Sequence, residues 1–276
     1  ERWGRVIRVR STVRGGQAMP EPMELAYEER GSGPVLLFVH GFPLDRTMWI
    51  PQLAGLAKLR TCAAVDLRGH GLSTIENTDG FSMDLFADDI ATTLDTMGAD
   101  KVDLCGLSMG GYVVFSFFRR HRDRVRSLIF CDTKAEADSP EAKAAREKTA
   151  ELVASQGLDA LYEQLEGKMF GSSPSDDVKA KVRRMFNATA PEVAAADALA
   201  MRDRDDSTGD LAGIDVPVLW LQGEEDALMP VENARATAEK IPGARFVPIP
   251  GGGHVAPMEN PDAVNAAIKD FLTSSP

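Results

Sequence analysis

Six short and almost uninterrupted apolar runs recur along this chain, and segments with helical periodicity lie between several of them. The runs span residues 35–39, 61–67, 101–106, 126–131, 217–223 and 244–250. Apolar runs of this length are typical of strands buried on both faces, as in a parallel sheet. Strands that alternate with helices predict an α/β fold with a mostly parallel, doubly wound sheet.

The helical segments are recognised by apolar residues at helical spacing. In residues 82–97, Phe86, Ile90 and Leu94 recur every fourth position, as on one face of a helix. Similar segments are predicted over 109–121, 231–241 and 261–272. The stretch 23–30 is predicted to add an antiparallel strand at the edge of the sheet.

One long segment, 133–212, breaks the alternation because it is rich in Ala, Lys, Glu and Asp and contains no strand-like run. Apolar residues at positions i, i+4, i+7 and i+8 mark one helix face there, at Val178, Val182, Met185 and Phe186, with Ser175 as the N-cap. We therefore predict a helical cap over 133–212. It is inserted into a core formed by 19–132 and 213–276 and lies above the C-terminal edge of the sheet.

The first eighteen residues, ERWGRVIRVRSTVRGGQA, have neither an initiator methionine nor the apolar run of a signal peptide. We expect residues 1–18 to be a non-native or disordered extension, with Met19 or Met23 as the natural start.

The net charge limits which partners the protein can bind, and the cysteine content indicates the redox state of its cellular compartment. Forty-two acidic against 31 basic residues give a net charge of −11, which disfavours nucleic acids and anionic membrane surfaces as partners. No run approaches the roughly 18 apolar residues of a membrane span. Cys62, Cys105 and Cys131 lie in apolar stretches without a CxxC motif, so we predict buried, reduced thiols and a reducing, cytoplasmic location.

The segment Gly106-Leu107-Ser108-Met109-Gly110 fits the pattern G-x-S-x-G between a predicted strand and a predicted helix. This context is typical of a nucleophile elbow, in which a strained turn exposes the serine hydroxyl above the sheet. Ser108 is therefore the candidate nucleophile.

A serine hydroxyl needs a base, and the chain offers four histidines. His121 lies in the polar segment RRHRDR, while His40 and His70 belong to turns after the first two apolar runs. Only His254, in GGGHVAP, follows both Ser108 and a suitable acid, and we predict it to be the base.

The acid that orients this base must lie where a strand ends. Asp226 follows the run 217–223 in LQGEED, and we favour it over the adjacent Glu224 and Glu225. Asp132 also follows a strand-like run, 126–131, and remains the alternative.

An acyl-transfer site also needs donors for the developing oxyanion. We predict the backbone N–H groups of Met109, directly after the nucleophile, and of Phe42, in the HGFP loop. Pro43 has no N–H to offer, and His40 is expected to orient this loop.

Apolar residues near these positions are the candidates for substrate binding. They are Trp49, Met169, Phe170, Met185 and Phe186, which together favour small to medium acyl groups. Arg202 and Arg204 could bind a carboxylated substrate, but we favour local ion pairs within the RDRDD segment. The sequence contains no HExxH motif, no Cys/His cluster and no P-loop, so we predict neither a metal nor a cofactor.

In this order, the motifs HGFPLD, DLRGHGLS, GLSMGG, LQGEED and GGGH resemble those of the α/β-hydrolase superfamily over residues 23–273. The chain is most similar to small serine carboxylesterases and 3-oxoadipate enol-lactonases. The resemblance implies a triad of Ser108, His254 and Asp226, an oxyanion hole from Phe42 and Met109, and no cofactor.

These observations predict a carboxylic ester hydrolase that acts on a small-molecule ester through an acyl-enzyme. Enol-lactone hydrolysis and C–C bond hydrolysis are the alternatives among enzymes. A ligand-binding module on the same scaffold is the alternative outside enzymes, although such a module need not keep all three residues of a triad.

Overall fold

The computed structural model describes residues 5–7 and 20–274. Eight strands form one sheet in the order β1-β2-β4-β3-β5-β6-β7-β8. They span Arg5–Ile7 (β1), Tyr27–Arg30 (β2), Val35–Val39 (β3), Thr61–Val65 (β4), Val102–Leu107 (β5), Val125–Cys131 (β6), Val218–Gly223 (β7) and Arg245–Ile249 (β8). The strands from β4 to β8 in this order pair in parallel, which confirms the predicted fold class.

Helices follow most of the strands. They span Ile50–Leu56 (α1), Met83–Thr96 (α2), Met109–Arg120 (α3), Pro140–Gln156 (α4), Leu158–Met169 (α5), Asp176–Ala188 (α6), Pro191–Arg202 (α7), Val231–Ala238 (α8), Ala256–Glu259 (α9) and Pro261–Ser274 (α10). Serine hydroxyls cap several of them, because they accept a hydrogen bond from a first-turn N–H group. Ser82, Ser139 and Ser175 do so for α2, α4 and α6.

The alternation of side chains along each strand divides the core into two layers. In β3, Leu37 and Val39 face the layer that contains α2 and α3, while Leu36 and Phe38 face the layer that contains α1 and α10. All four side chains are buried. Both faces of the sheet are thus covered, and this explains why its strands read as continuous apolar runs.

The N-terminal part of the sheet differs from the sequence prediction. The antiparallel strand β2 begins at Tyr27, because upstream N–H groups bond to side chains instead of a neighbouring strand: that of Met23 to Asp89 and that of Leu25 to Thr93. Strand β2 is not the edge strand, because β1 pairs with its outer side. Strand β1 lies within the segment 1–18 that was expected to be a disordered extension, and the rest of that segment lies outside the described residues.

Between β6 and β7 the chain forms helices α4 to α7 and a short 3₁₀ turn. Helix α4 packs against α7 and α5, and α5 packs against α6. We call α4–α7 the inserted helices. No helix within residues 20–274 is long and apolar enough to cross a bilayer.

The register of the parallel strands brings distant residues to one level of the sheet. Leu107 of β5 lies opposite Cys131 of β6, which lies opposite Leu221 of β7. The residues that follow these strands therefore meet at one edge, where Ser108 N–H donates to the carbonyl of Cys131 at 2.9 Å. The candidate site lies at this C-terminal edge. The three cysteines are free and buried, as predicted.

Candidate active site

Ser108 occupies a tight turn between β5 and α3. Its φ of 51° and ψ of −112° are values that non-glycine residues rarely adopt. The turn requires glycine on both sides, because a Cβ on Gly106 would lie 2.3 Å from the carbonyl oxygen of Gly110 and one on Gly110 would lie 2.4 Å from that of Val39. This geometry is that of a nucleophile elbow, and the half-buried Ser108 hydroxyl has no hydrogen-bond partner within residues 20–274.

His254 and Asp226 are brought together by the loops that follow β8 and β7. Nδ1 of His254 lies 2.8 Å from Oδ2 of Asp226, and both side chains are buried. The other Asp226 oxygen accepts the N–H groups of Leu228 and Met229 at 2.8 and 2.9 Å. Oδ2 also accepts a hydrogen bond from the Gln222 amide at 3.1 Å. The carboxylate is thereby fixed in one orientation, which in turn fixes the imidazole.

The hydrogen bond to Asp226 determines which His254 nitrogen can act as a base. When Nδ1–H donates to the carboxylate, Nε2 carries the free lone pair. Nε2 makes no hydrogen bond to another residue that the structure describes. His254 Nε2 and the Ser108 hydroxyl lie at the same edge of the sheet, but they form no hydrogen bond with each other. Catalytic hydrogen bonds are often unformed in unliganded enzymes.

Asp132, the alternative acid, lies at the end of β6 and does not contact His254. It has a φ of 46°, and its Oδ1 accepts the N–H of Gly223 at 2.6 Å, while Oδ2 is buried without a partner. Burial raises the pKa of Asp132 well above its usual range, and the neighbouring Asp226 raises it further.

Two backbone N–H groups lie in segments next to the candidate nucleophile. Met109 N–H belongs to the first turn of α3, where helical N–H groups have no intrahelical partner. Phe42 follows Gly41, and a Cβ on Gly41 would lie 3.3 Å from the Cβ of Ser108, so this loop lies against the serine. Neither N–H donates a hydrogen bond within residues 20–274.

His40 holds the same loop in place. Its Nδ1 lies 2.9 Å from the carbonyl of Gly41, and its Nε2 accepts the N–H of Leu67 at 2.9 Å. Burial lowers the pKa of His40 well below its usual value, and His70 lowers it further. The ring is thus a neutral link between the turns after β3 and β4, in agreement with an orienting role.

Glu259, which the sequence analysis did not single out, fastens the His254 loop. Its two carboxylate oxygens accept the N–H groups of Gly171 at 2.7 Å and Gly253 at 2.8 Å. His254 N–H donates to the carbonyl of Met169 at 2.8 Å. A loop with three consecutive glycines needs such anchors, and a carboxylate five residues after the histidine was the available signal.

The residues predicted to bind substrate are mostly core residues. Trp49 is fully buried, with its ring centroid 4.9 Å from that of Phe38. The other four predicted residues lie in the inserted helices or in the turn after α5, and they are buried in the core layer that contains α1 and α10: Met169, Phe170, Met185 and Phe186. Of these, Met185 also lines a groove, described below.

Arg202 and Arg204 make the local ion pairs that the sequence analysis favoured. The Arg202 guanidinium bonds to Asp203 at 2.6 Å and to Glu147 at 3.0 Å. Arg204 is buried and bonds to Asp138 at 2.9 Å. Within the described residues, no cluster of His, Cys, Asp and Glu could hold a metal ion.

The chain is similar to known proteins over most of its length. The family model of the alpha/beta hydrolase fold matches residues 34–261. A thermophilic esterase from Thermogutta terrifontis, solved with malate bound, is 41% identical, with a TM-score of 0.91 and 98% of each chain covered. An enol-lactonase from Burkholderia xenovorans is 29% identical, with a TM-score of 0.81, 91% of this chain and 96% of the other covered.

A curated relative is similar at lower identity. The bifunctional esterase/perhydrolase of Acinetobacter calcoaceticus is 26% identical over 91% of this chain and 97% of its own length. The family match spans most of the chain, and the esterase structure aligns with nearly all of it. The protein therefore belongs to the alpha/beta hydrolase family and is esterase-like.

Proposed function

We propose that the protein hydrolyses carboxylic esters with small to medium acyl groups through a triad of Ser108, His254 and Asp226. The observation that carries the proposal is the 2.8 Å hydrogen bond between His254 and Asp226 at the sheet edge that also holds Ser108 in its elbow. A base oriented by a buried carboxylate is what a serine nucleophile requires.

The reaction follows from the positions of these groups. Ser108 Oγ attacks the ester carbonyl while His254 Nε2 takes its proton, and the free N–H groups of Phe42 and Met109 bind the oxyanion. The intermediate collapses to an acyl-enzyme as the imidazolium protonates the departing alcohol. His254 then deprotonates a water molecule, which attacks the acyl carbonyl. The imidazolium returns the proton to Ser108 Oγ as the second intermediate collapses and the carboxylic acid leaves.

We also propose that residues 133–212 act as a cap on a core formed by 19–132 and 213–276. Contacts from the inserted helices to the site loops support this role. Thr189 Oγ1 donates to the carbonyl of Pro43 at 3.1 Å, next to the oxyanion loop. The carbonyl of Met169, at the end of α5, accepts the N–H of His254. Movement of these helices would therefore displace the loops that carry the oxyanion N–H of Phe42 and the imidazole of His254.

A panel of p-nitrophenyl esters with increasing acyl length tests the proposal. Wild-type protein should release p-nitrophenol, and Ser108→Ala should lower the turnover by about 10⁴-fold or more. Ser155→Ala changes an exposed serine on α4 and is the matched control. Turnover that survives in Ser108→Ala would refute the mechanism. Tight ester binding without turnover in the wild type would indicate a binding module instead.

Enol-lactone hydrolysis is the second candidate, and the similarity to the Burkholderia xenovorans enol-lactonase supports it. A lactone is a cyclic ester, so the same groups could open it. Arg202 and Arg204 are engaged with carboxylates of this chain and have little capacity left for a substrate carboxylate. The ratio of kcat/KM values for an enol-lactone and a simple ester separates the two candidates.

A further inference from the structure

A groove lies between the core and the inserted helix α6, and no triad residue lines it. Three methionines, Met48, Met185 and Met258, contribute to its apolar lining together with Ile50, Pro51 and Val178. Two cations, Lys181 and Arg184, also line it. The cavity measures about 100 Å³, somewhat less than the ~150 Å³ that accommodates a benzene molecule. Methionine side chains adapt to flexible apolar ligands because they are unbranched and polarisable.

Among residues 20–274, the guanidinium of Arg184 has no carboxylate partner. Its guanidinium makes no ion pair, hydrogen bond or ring contact with any residue from 20 to 274. Every other arginine in that range has a carboxylate partner, apart from Arg235, which stacks on Phe246. In a chain of net charge −11, an arginine without a carboxylate is available to a ligand, and its planar fork suits a carboxylate.

The groove is built on segments that lead directly from the candidate site. Met258 follows His254 by four residues, so their Cα atoms lie within roughly 14 Å of each other. Met48 belongs to the short 3₁₀ turn Arg46–Trp49 that follows the oxyanion loop. Both segments thus place the groove near the candidate site.

We propose that this groove binds the remote end of the substrate, an apolar chain that terminates in a carboxylate. The chain contacts Met48, Met185 and Met258, and the carboxylate binds Arg184, with Lys181 beside it. Lys181 contributes less, because its ammonium already pairs with Asp177 at 2.5 Å. The inference rests on the proposed ester hydrolysis and adds a substrate class to it: half-esters of linear dicarboxylic acids and esters of ω-hydroxy acids.

Matched esters test this assignment. Monomethyl adipate is compared with methyl hexanoate, and the acetate ester of an ω-hydroxy acid is compared with a neutral alkyl acetate of equal length. In the wild type, at least one carboxylated ester should have a lower KM than its neutral counterpart. Arg184→Gln should raise that KM by about three- to fivefold and leave the neutral ester unchanged. Added salt should reduce the difference in the wild type, because the pair is exposed.

Arg235→Gln is the matched control, because it removes the same charge from another exposed arginine without a carboxylate partner. It should leave all KM values unchanged. A second variant, Val178→Phe, narrows the groove and should slow the hydrolysis of the longer esters but not that of methyl acetate.

The outcomes separate the two proposals. If the neutral esters are hydrolysed but neither carboxylated ester responds to Arg184→Gln, the groove assignment is wrong and the ester hydrolase proposal stands. If the wild type hydrolyses none of the esters, the proposed function fails, and the substrate class fails with it.

Discussion

Asp226 and Asp132 end neighbouring strands of the sheet, yet their surroundings differ. The Asp226 carboxylate accepts hydrogen bonds from two backbone N–H groups and a glutamine amide and faces an imidazole. Asp132 accepts one backbone N–H, and its second oxygen is buried without a partner. A residue's position at a strand end therefore does not define its role, because the role depends on which groups the neighbouring loops supply.

Asparagine substitutions distinguish these two residues. Asp226→Asn should lower kcat by about 10⁴-fold, because an amide neither holds the required tautomer nor stabilises the imidazolium. Asp132→Asn should retain kcat within about tenfold, because Asp132 bonds to Gly223 N–H and makes no hydrogen bond to His254, and the amide is isosteric with the carboxyl group. Steady-state kinetics on a p-nitrophenyl ester provide the comparison, with circular dichroism as the check on folding. The reverse ranking would identify Asp132 as the acid.

At the scale of elements, the Asp138 carboxylate connects the segment after β6 with α4 and with the residues that follow α7. Asp138 accepts hydrogen bonds from Lys134 at 3.2 Å, Arg146 at 3.0 Å and Arg204 at 2.9 Å. Burial alone would raise the pKa of Asp138, but Arg204 and Arg146 outweigh it, and the pKa lies well below its usual range. The inserted helices are thus held by a charge cluster as well as by apolar packing.

The folded-state pKa of Asp138 is below its unfolded value, so the residue contributes its full stabilisation above about pH 4 and loses it as the pH falls further. Asp138→Asn should therefore lower the free energy of unfolding by about 3 kcal/mol at neutral pH. Urea titrations should show this difference shrinking in acid. Asp159→Asn, which breaks an exposed ion pair with Arg183, is the control and should change little. A difference independent of pH would contradict the assignment.

Most of the strands and helices could be predicted from the sequence. The six apolar runs correspond to β3–β8, and the predicted N-cap Ser175 bonds to Val178 N–H at 3.2 Å. These features depend on contacts within a few residues or on burial of a whole strand, which local patterns report. The first residue of β2 could not be predicted from the sequence. It depends on hydrogen bonds from the N–H groups of Met23 and Leu25 to side chains of α2, which lies far along the chain.

At the scale of the whole molecule, a buried ion pair joins the sheet core to the inserted helices. Nε2 of His70, in the turn after β4, lies 3.1 Å from Oδ2 of Asp197 on α7, and both side chains are fully buried. Burial alone would lower the pKa of His70, but Asp197 raises it above its usual value. His40 packs against His70 with a centroid distance of 4.8 Å. We therefore expect the contribution of this contact to the stability of the fold to depend on pH.

A histidine with a raised folded-state pKa stabilises the fold fully below its unfolded pKa of about 6.5 and loses this contribution as the pH rises through the folded value. Asp197→Asn should therefore reduce stability more at about pH 6 than at about pH 9, by on the order of 1 kcal/mol. Thermal unfolding of both proteins at the two pH values measures the effect. Equal losses would show that His70 does not titrate against Asp197.

The sequence by itself determined the alternation of strands and helices, the elbow around Ser108 and the set of residues from which a triad could be formed. Each of these follows from composition and spacing within a short window. Only the tertiary structure decided that His254 meets Asp226 and not Asp132, that Trp49 is a core residue, and that Arg184 has no carboxylate partner among residues 20–274. These outcomes join residues that are far apart in the chain, and strand order and register bring such residues together or keep them apart.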